Sequence, residues 1–187
     1  MNWEDLGAKL AAVAQREGWT YHPPITAEAF AAFEADHGVT LPEPYARFLR
    51  EVSGGLETDC MPLVPFADGA HDDDARFATP FPYDTAYGDA ILAALASGRT
   101  LGDVAADTTM AARQARGLPP GCIVIGELDG ARSVLVIIGE ERGRVWQIGD
   151  FDLPETRHRH CGDGDATRLD FAGWFACWLI ENGVRLD

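Results

Sequence analysis

ITAEAFAAFEADHGVTLPEPYARFLREVSGG, residues 25–55, reads as two short helices joined by a turn and closed by a glycine pair. Thr26 stands where a helix N-cap belongs, because its hydroxyl can accept an orphan backbone N–H of the first turn. With Ala29 three residues on, the reciprocal capping box is incomplete. Phe30 and Phe33 lie at helical spacing beside Glu34, and Gly38 ends the segment. Leu41-Pro42 opens the next helix, since proline presets φ for a first turn. Tyr45, Phe48, Leu49 and Val52 form its apolar stripe. Gly54-Gly55 permits a turn with positive φ.

Upstream, Trp3, Leu6, Leu10, Val13 and Ala14 recur at helical spacing over residues 3–17, and Gly18 stops the run. Tyr21-His22-Pro23-Pro24 reads as a linker, because proline pushes the residue before it out of the helical region. Residues 1–22 are thus an N-terminal helix and linker. Downstream, Met61, Leu63, Val64 and Phe66 predict one strand. Residues 57–89 carry Glu57, Asp59, Asp68, Asp72, Asp73, Asp74, Asp84 and Asp89 against Arg76 alone, the pattern of a solvated loop. Residues 86–97 read as a helix on Ile91, Leu92 and Leu95, and 101–116 as another on Leu101, Val104 and Met110. Gly98 separates them and Leu118-Pro119-Pro120-Gly121 closes the stretch.

Residues 122–125, 133–138 and 145–148 are apolar strands. Turns at Asp129-Gly130 and near Arg142-Gly143 make them an antiparallel meander. Leu169, Phe171, Trp174, Phe175, Trp178 and Leu179 mark a packed final helix, which Gly183 ends. Helices, then strands, then a closing helix predict an α+β fold rather than a doubly wound parallel sheet. The expected architecture is N-terminal helices, a central and mostly antiparallel sheet of about four to six strands, and a C-terminal helix packed on that sheet. At 187 residues, one domain over 1–187 has length enough to bury its own core.

Lys and Arg number 15 against 30 Asp and Glu, for a formal net charge of −15. Such a surface repels nucleic acid and anionic membranes, so neither is expected as a direct partner. It suits a cationic protein; it also serves solubility alone. Cys60, Cys122, Cys161 and Cys177 form no CxxC pair, which removes a zinc ribbon or thioredoxin motif. Cys122 and Cys177 sit in apolar runs and read as small core residues, without a disulfide scaffold. The start, Met1-Asn2-Trp3-Glu4-Asp5, lacks the basic and apolar regions of a signal peptide. No apolar run approaches the ~20 residues of a membrane span. The expectation is cytoplasmic. Lys9 is the only lysine, while Arg, Ala, Gly and Asp abound, a bias of GC-rich bacterial genes.

Catalytic motifs fail one by one. The lone lysine excludes a Walker loop. Gly162-Asp163-Gly164 lacks the third glycine of a dinucleotide fingerprint. No GxSxG elbow exists, and Ser133 falls inside a core strand. His158, His160 and Cys161, with Asp163 and Asp165 nearby, are zinc-ligand types but lack a ligand spacing. His71-Asp72 lacks the further histidines of a metal phosphohydrolase. Asp163-Gly164-Asp165 is too short for a calcium loop. Asp150 and Asp152 are paired carboxylates on the sheet rim with no cleft for a sugar. No metal, cofactor or catalytic residue is expected.

The run from Ile25-Thr26 through Phe33-Glu34, Gly38, Leu41-Pro42, Tyr45, Phe48-Leu49 and Ser53-Gly54-Gly55 resembles the opening motif of the SUKH superfamily. That superfamily includes the fungal Smi/Knr cell-wall assembly regulators and many bacterial relatives. Residues 122–126, the Asp129-Gly130 turn, the Val145-Trp146 strand and the aromatic last helix are similar to its later features. Ser53 stands where Asn is commoner, and residues 67–118 are longer than the pattern, reading as a family-variable insertion. The resemblance implies a non-enzymatic immunity-type protein that binds a cognate, basic bacterial toxin, a nuclease among the candidate classes. The alternatives are a regulatory interaction module of the Smi/Knr type and a metal-dependent hydrolase built on His158 and His160. Asp59, Asp68, Asp72, Asp73, Asp74, Asp150 and Asp152 are the expected contacts, offering carboxylates to Lys or Arg of the partner. Trp146 is either an exposed hot-spot aromatic beside them or a buried sheet residue.

Overall fold

The computed structural model describes residues 3, 5–58, 62–66, 77–100, 103, 118–128, 131–148, 154–156 and 169–184. Helix α1 (Leu6–Glu17) buries Leu6, Leu10, Val13 and Ala14, and Gly18 ends it at φ 76°. The chain then enters β1 (Thr20–His22). Helix α2 (Ala27–His37) starts as its sequence requires, with Thr26 Oγ1 accepting from Ala29 N at 3.1 Å. Glu34 Oε1 accepts the Leu41 N–H at 2.7 Å and so fixes the turn into α3 (Glu43–Glu51). Strand β2 (Gly55–Glu57) follows and pairs antiparallel with β1, Tyr21 opposite Leu56.

That pairing corrects the expected linker at 21–24. Pro23 and Pro24 do stop the strand, but Thr20, Tyr21 and His22 find their ladder at 55–57. The Ser-Gly-Gly turn holds the two together. Ser53 Oγ lies 2.8 Å from His22 O and 2.7 Å from Gly55 O, and Gly54 N donates to His22 O at 3.0 Å. Both glycines are obligatory: a Cβ on Gly54 would meet Pro23 O at 2.8 Å, and one on Gly55 would meet Pro65 Cα at 2.6 Å. The strand expected over 61–66 is reduced, within its described residues, to one bridge between Leu63 and Leu56. Pro62 and Pro65 flank that bridge and cannot donate to a longer ladder.

Helix α4 (Thr85–Ala96) precedes the main sheet. Strands β3 (Cys122–Leu128), β4 (Ala131–Val136), β5 (Val145–Ile148) and β6 (Pro154–Thr156) run in sequence order, every pair antiparallel. The meander is as expected. Its fourth strand opens on proline, a residue that argues against a strand when met in sequence. Helix α5 (Phe171–Glu181) closes the fold, with Asp170 Oδ1 capping Gly173 N at 2.8 Å.

Both faces of the main sheet are buried. Ile123, Ile125, Leu135, Ile137 and Val145 face the larger core with α1, α3 and α5. There Phe171 and Phe175 pack on Tyr45 and Phe48 at ring separations of 4.9–5.2 Å. The alternate residues Cys122, Val134, Val136, Trp146 and Ile148 meet Phe81, Tyr83 and Tyr87 in a second cluster, as the two-residue period of a strand demands. Each large apolar side chain so buried contributes about 1.5–3 kcal/mol. Cys122 is buried and in no disulfide, as expected, and its thiol donates to Pro119 O at 3.2 Å. Cys177, expected as a plain core residue, is buried in α5 and disulfide-bonded. Among the described residues no helix is long and apolar enough to cross a membrane.

Candidate functional site

Three segments far apart in sequence meet on one side of the molecule: the start of α3, the turn between β4 and β5, and the N-cap of α5. Val145 N donates to Leu169 O at 2.9 Å, and Arg144 bridges Asp170, which lays the turn along the approach to α5. Arg142 Nη2 donates to Thr40 O at 2.9 Å, which ties the same turn to the residues leading into α3. Gly143, at φ 87°, lets the chain double back, its N–H reaching Val136 O at 2.9 Å. Between these segments lies a hollow of about 320 Å³. Pro42, Glu43 and Pro44 form one wall, Arg142, Gly143 and Arg144 a second, and Asp170 the third.

The charges around the hollow are unequal in their engagement. Asp170 is committed to its cap. The Glu43 carboxylate meets Arg50 Nη2 at 3.3 and 3.4 Å. Arg16, Arg47 and Arg132 each face a carboxylate, at 2.7, 2.8 and 3.8 Å. Arg142 is exposed and makes no ion pair among the described residues; its bond is to a backbone carbonyl.

The opposite flank of the same turn anchors α4. Asp84 Oδ1 accepts from Tyr87 N at 2.7 Å and Glu140 Oε1 from Thr85 N at 3.4 Å. Glu141 is only 2% exposed, and its Oε1 accepts from the Thr85 hydroxyl at 2.8 Å. Carboxylates gathered at a helix N-terminus are stabilised by its partial positive charge, which offsets the cost of burying Glu141. The β4–β5 turn therefore joins the α3 side of the molecule to the α4 side. Tyr45, within the helix pair, is wholly buried, and burial pushes its phenol well above the usual range. It stays neutral and acts as scaffold.

Asp59, Asp68, Asp72, Asp73, Asp74, Asp150 and Asp152 lie outside the described residues, as do His158, His160 and Cys161. Among the described residues no group of three or more His, Cys, Asp or Glu is placed to hold a metal. Trp146 is the one expected contact that the structure describes. It has no exposure, and its ring sits 5.2 Å from Phe81, 5.7 Å from Tyr83 and 6.3 Å from Tyr87. Of the two readings of this residue, the buried one holds, because the stretch carrying Phe81 to Tyr87 roofs the sheet face that would otherwise be open. The hollow was missed in the sequence. Its signal was Arg142-Gly143-Arg144, two guanidiniums astride a glycine in an acid-rich chain.

Compared with known proteins, residues 24–173 match the family model described as SMI1 / KNR4 family (SUKH-1). The matched span contains every segment that lines the hollow. No curated protein matches the chain.

Proposed function

The chain belongs to the SMI1 / KNR4 family (SUKH-1), and from that premise we propose that it works by binding another protein, as an immunity-type protein that neutralises a cognate bacterial toxin by direct contact. The observation that carries the reading is the family match over residues 24–173, from the Thr26 cap to the first turn of α5. The net charge of −15 supports a basic partner, since opposite charge speeds encounter and adds specificity. A nuclease with a cationic substrate groove is a fitting class. The proposed contacts are Asp59, Asp68, Asp72, Asp73, Asp74, Asp150 and Asp152, with Trp146 holding the sheet from beneath. The protein acts without catalysis, in the cytoplasm of the cell it protects.

The test is co-expression with a candidate toxin, taken from the genes that neighbour this one in its source genome. Survival of cells carrying both genes, loss of survival when the present chain is removed, and co-purification of the two products are the expected results. Killing that this chain does not relieve, with no complex recovered, would reject the toxin reading. A complex with a partner that is not toxic would favour the second reading, a regulatory interaction module of the Smi/Knr type.

A further inference from the structure

We propose that the hollow beside Arg142 receives a carboxylate side chain from an otherwise cationic partner protein, so that one guanidinium fixes the orientation of a complex drawn together by charge. This rests on the protein-binding reading above and deepens it. Acids outnumber bases two to one in the chain, and four other arginines, Arg16, Arg47, Arg50 and Arg132, each have a carboxylate within 3.8 Å. Arg142 is held differently. Thr40 O at 2.9 Å orients its guanidinium without neutralising it. A guanidinium presents five donors in a rigid fork that matches a carboxylate, and the bond to Thr40 O uses only one of them.

The walls fit the same ligand. Pro42 and Pro44 are rigid and apolar, and the two acids of the lining are occupied by Arg50 and by the Gly173 N–H. Arg144 completes the wall that Arg142 begins. The start of α3 has no side-chain cap, so its partial positive charge adds to the site. A chain at −15 keeps free anions at a distance. A carboxylate reaches Arg142 most readily when carried on a surface that the rest of the molecule attracts, which makes a side chain of a basic partner the occupant.

The experiment uses the isotope-labelled full chain, titrated by NMR with propionate, the side-chain analogue of glutamate, and with propionamide at matched ionic strength. Saturable shifts at the Gly143 and Arg144 amides with propionate alone are expected. Arg142→Gln should weaken them at least about fivefold, with Arg142→Lys between the two because charge is kept and the fork lost. Shifts that never saturate, or that Arg142→Gln leaves unchanged, would overturn the proposal. A short lysine-rich peptide without acids serves as a separate arm and should perturb the acidic surface. Propionate binding without any binding of that peptide would retain the hollow but overturn its cationic carrier, so failure of the wider reading shows by itself.

Discussion

Replacing Trp146 by alanine separates a buried sheet residue from an exposed contact. Trp146 is fully buried among Phe81, Tyr83 and Tyr87, and pairs across the sheet with Val134. Truncating a core tryptophan to alanine costs about 3–5 kcal/mol. One feature of the site works against that cost. The indole Nε1 is buried without a hydrogen-bond partner, and removing an unsatisfied donor returns about 1–3 kcal/mol. The net expectation is a loss of up to about 4 kcal/mol, centred near about 2 kcal/mol. At roughly 2–4 °C per kcal/mol for a chain of this size, the central value lowers Tm by about 4–8 °C. Trp146→Phe keeps a ring in the stack and discards the orphan N–H, and should stay within about 1.5 kcal/mol of the parent. Thermal melts and urea titrations read both variants. A surface tryptophan would give changes of about 0.5 kcal/mol or less, so an alanine variant melting within about 2 °C of the parent would refute this packing.

Gly55→Ala should cost about 2–5 kcal/mol, because φ is 150° and the new Cβ would meet Pro65 backbone at 2.6 Å; a Tm unchanged in this variant would contradict the turn geometry. Thr85→Val, which removes the hydroxyl that Glu141 accepts at 2.8 Å, should lose about 1–3 kcal/mol, read by urea midpoint. Glu141→Gln keeps that acceptor and should lose less; the reverse order would argue against the contact.

Local signals in the sequence were enough for most of the fold. Thr26 and the glycines bounding α1 and α2 mark helix ends by chemistry that acts within one turn. The 122–148 meander shows in its alternating apolar residues and turn glycines. What escaped depends on distant pairing. Tyr21 and His22 look like a linker until their partners at 55–57 are known. An antiparallel sheet often leaves one face to solvent, so Trp146 was ambiguous. Phe81, Tyr83 and Tyr87, which cover it, sit in an acid- and proline-rich stretch that masks their role. The hollow is harder still, since Arg142 and Thr40 are 102 positions apart. Nothing local announces that they touch.

The most direct test of the central claim, that this chain binds a cationic protein through charge, is the association rate with the co-purified partner as ionic strength is raised. Between about 0.05 and 0.5 M salt the Debye length falls several-fold, and the rate should drop by about tenfold or more while dissociation changes little. An association rate indifferent to salt, or no complex at low salt, would contradict it.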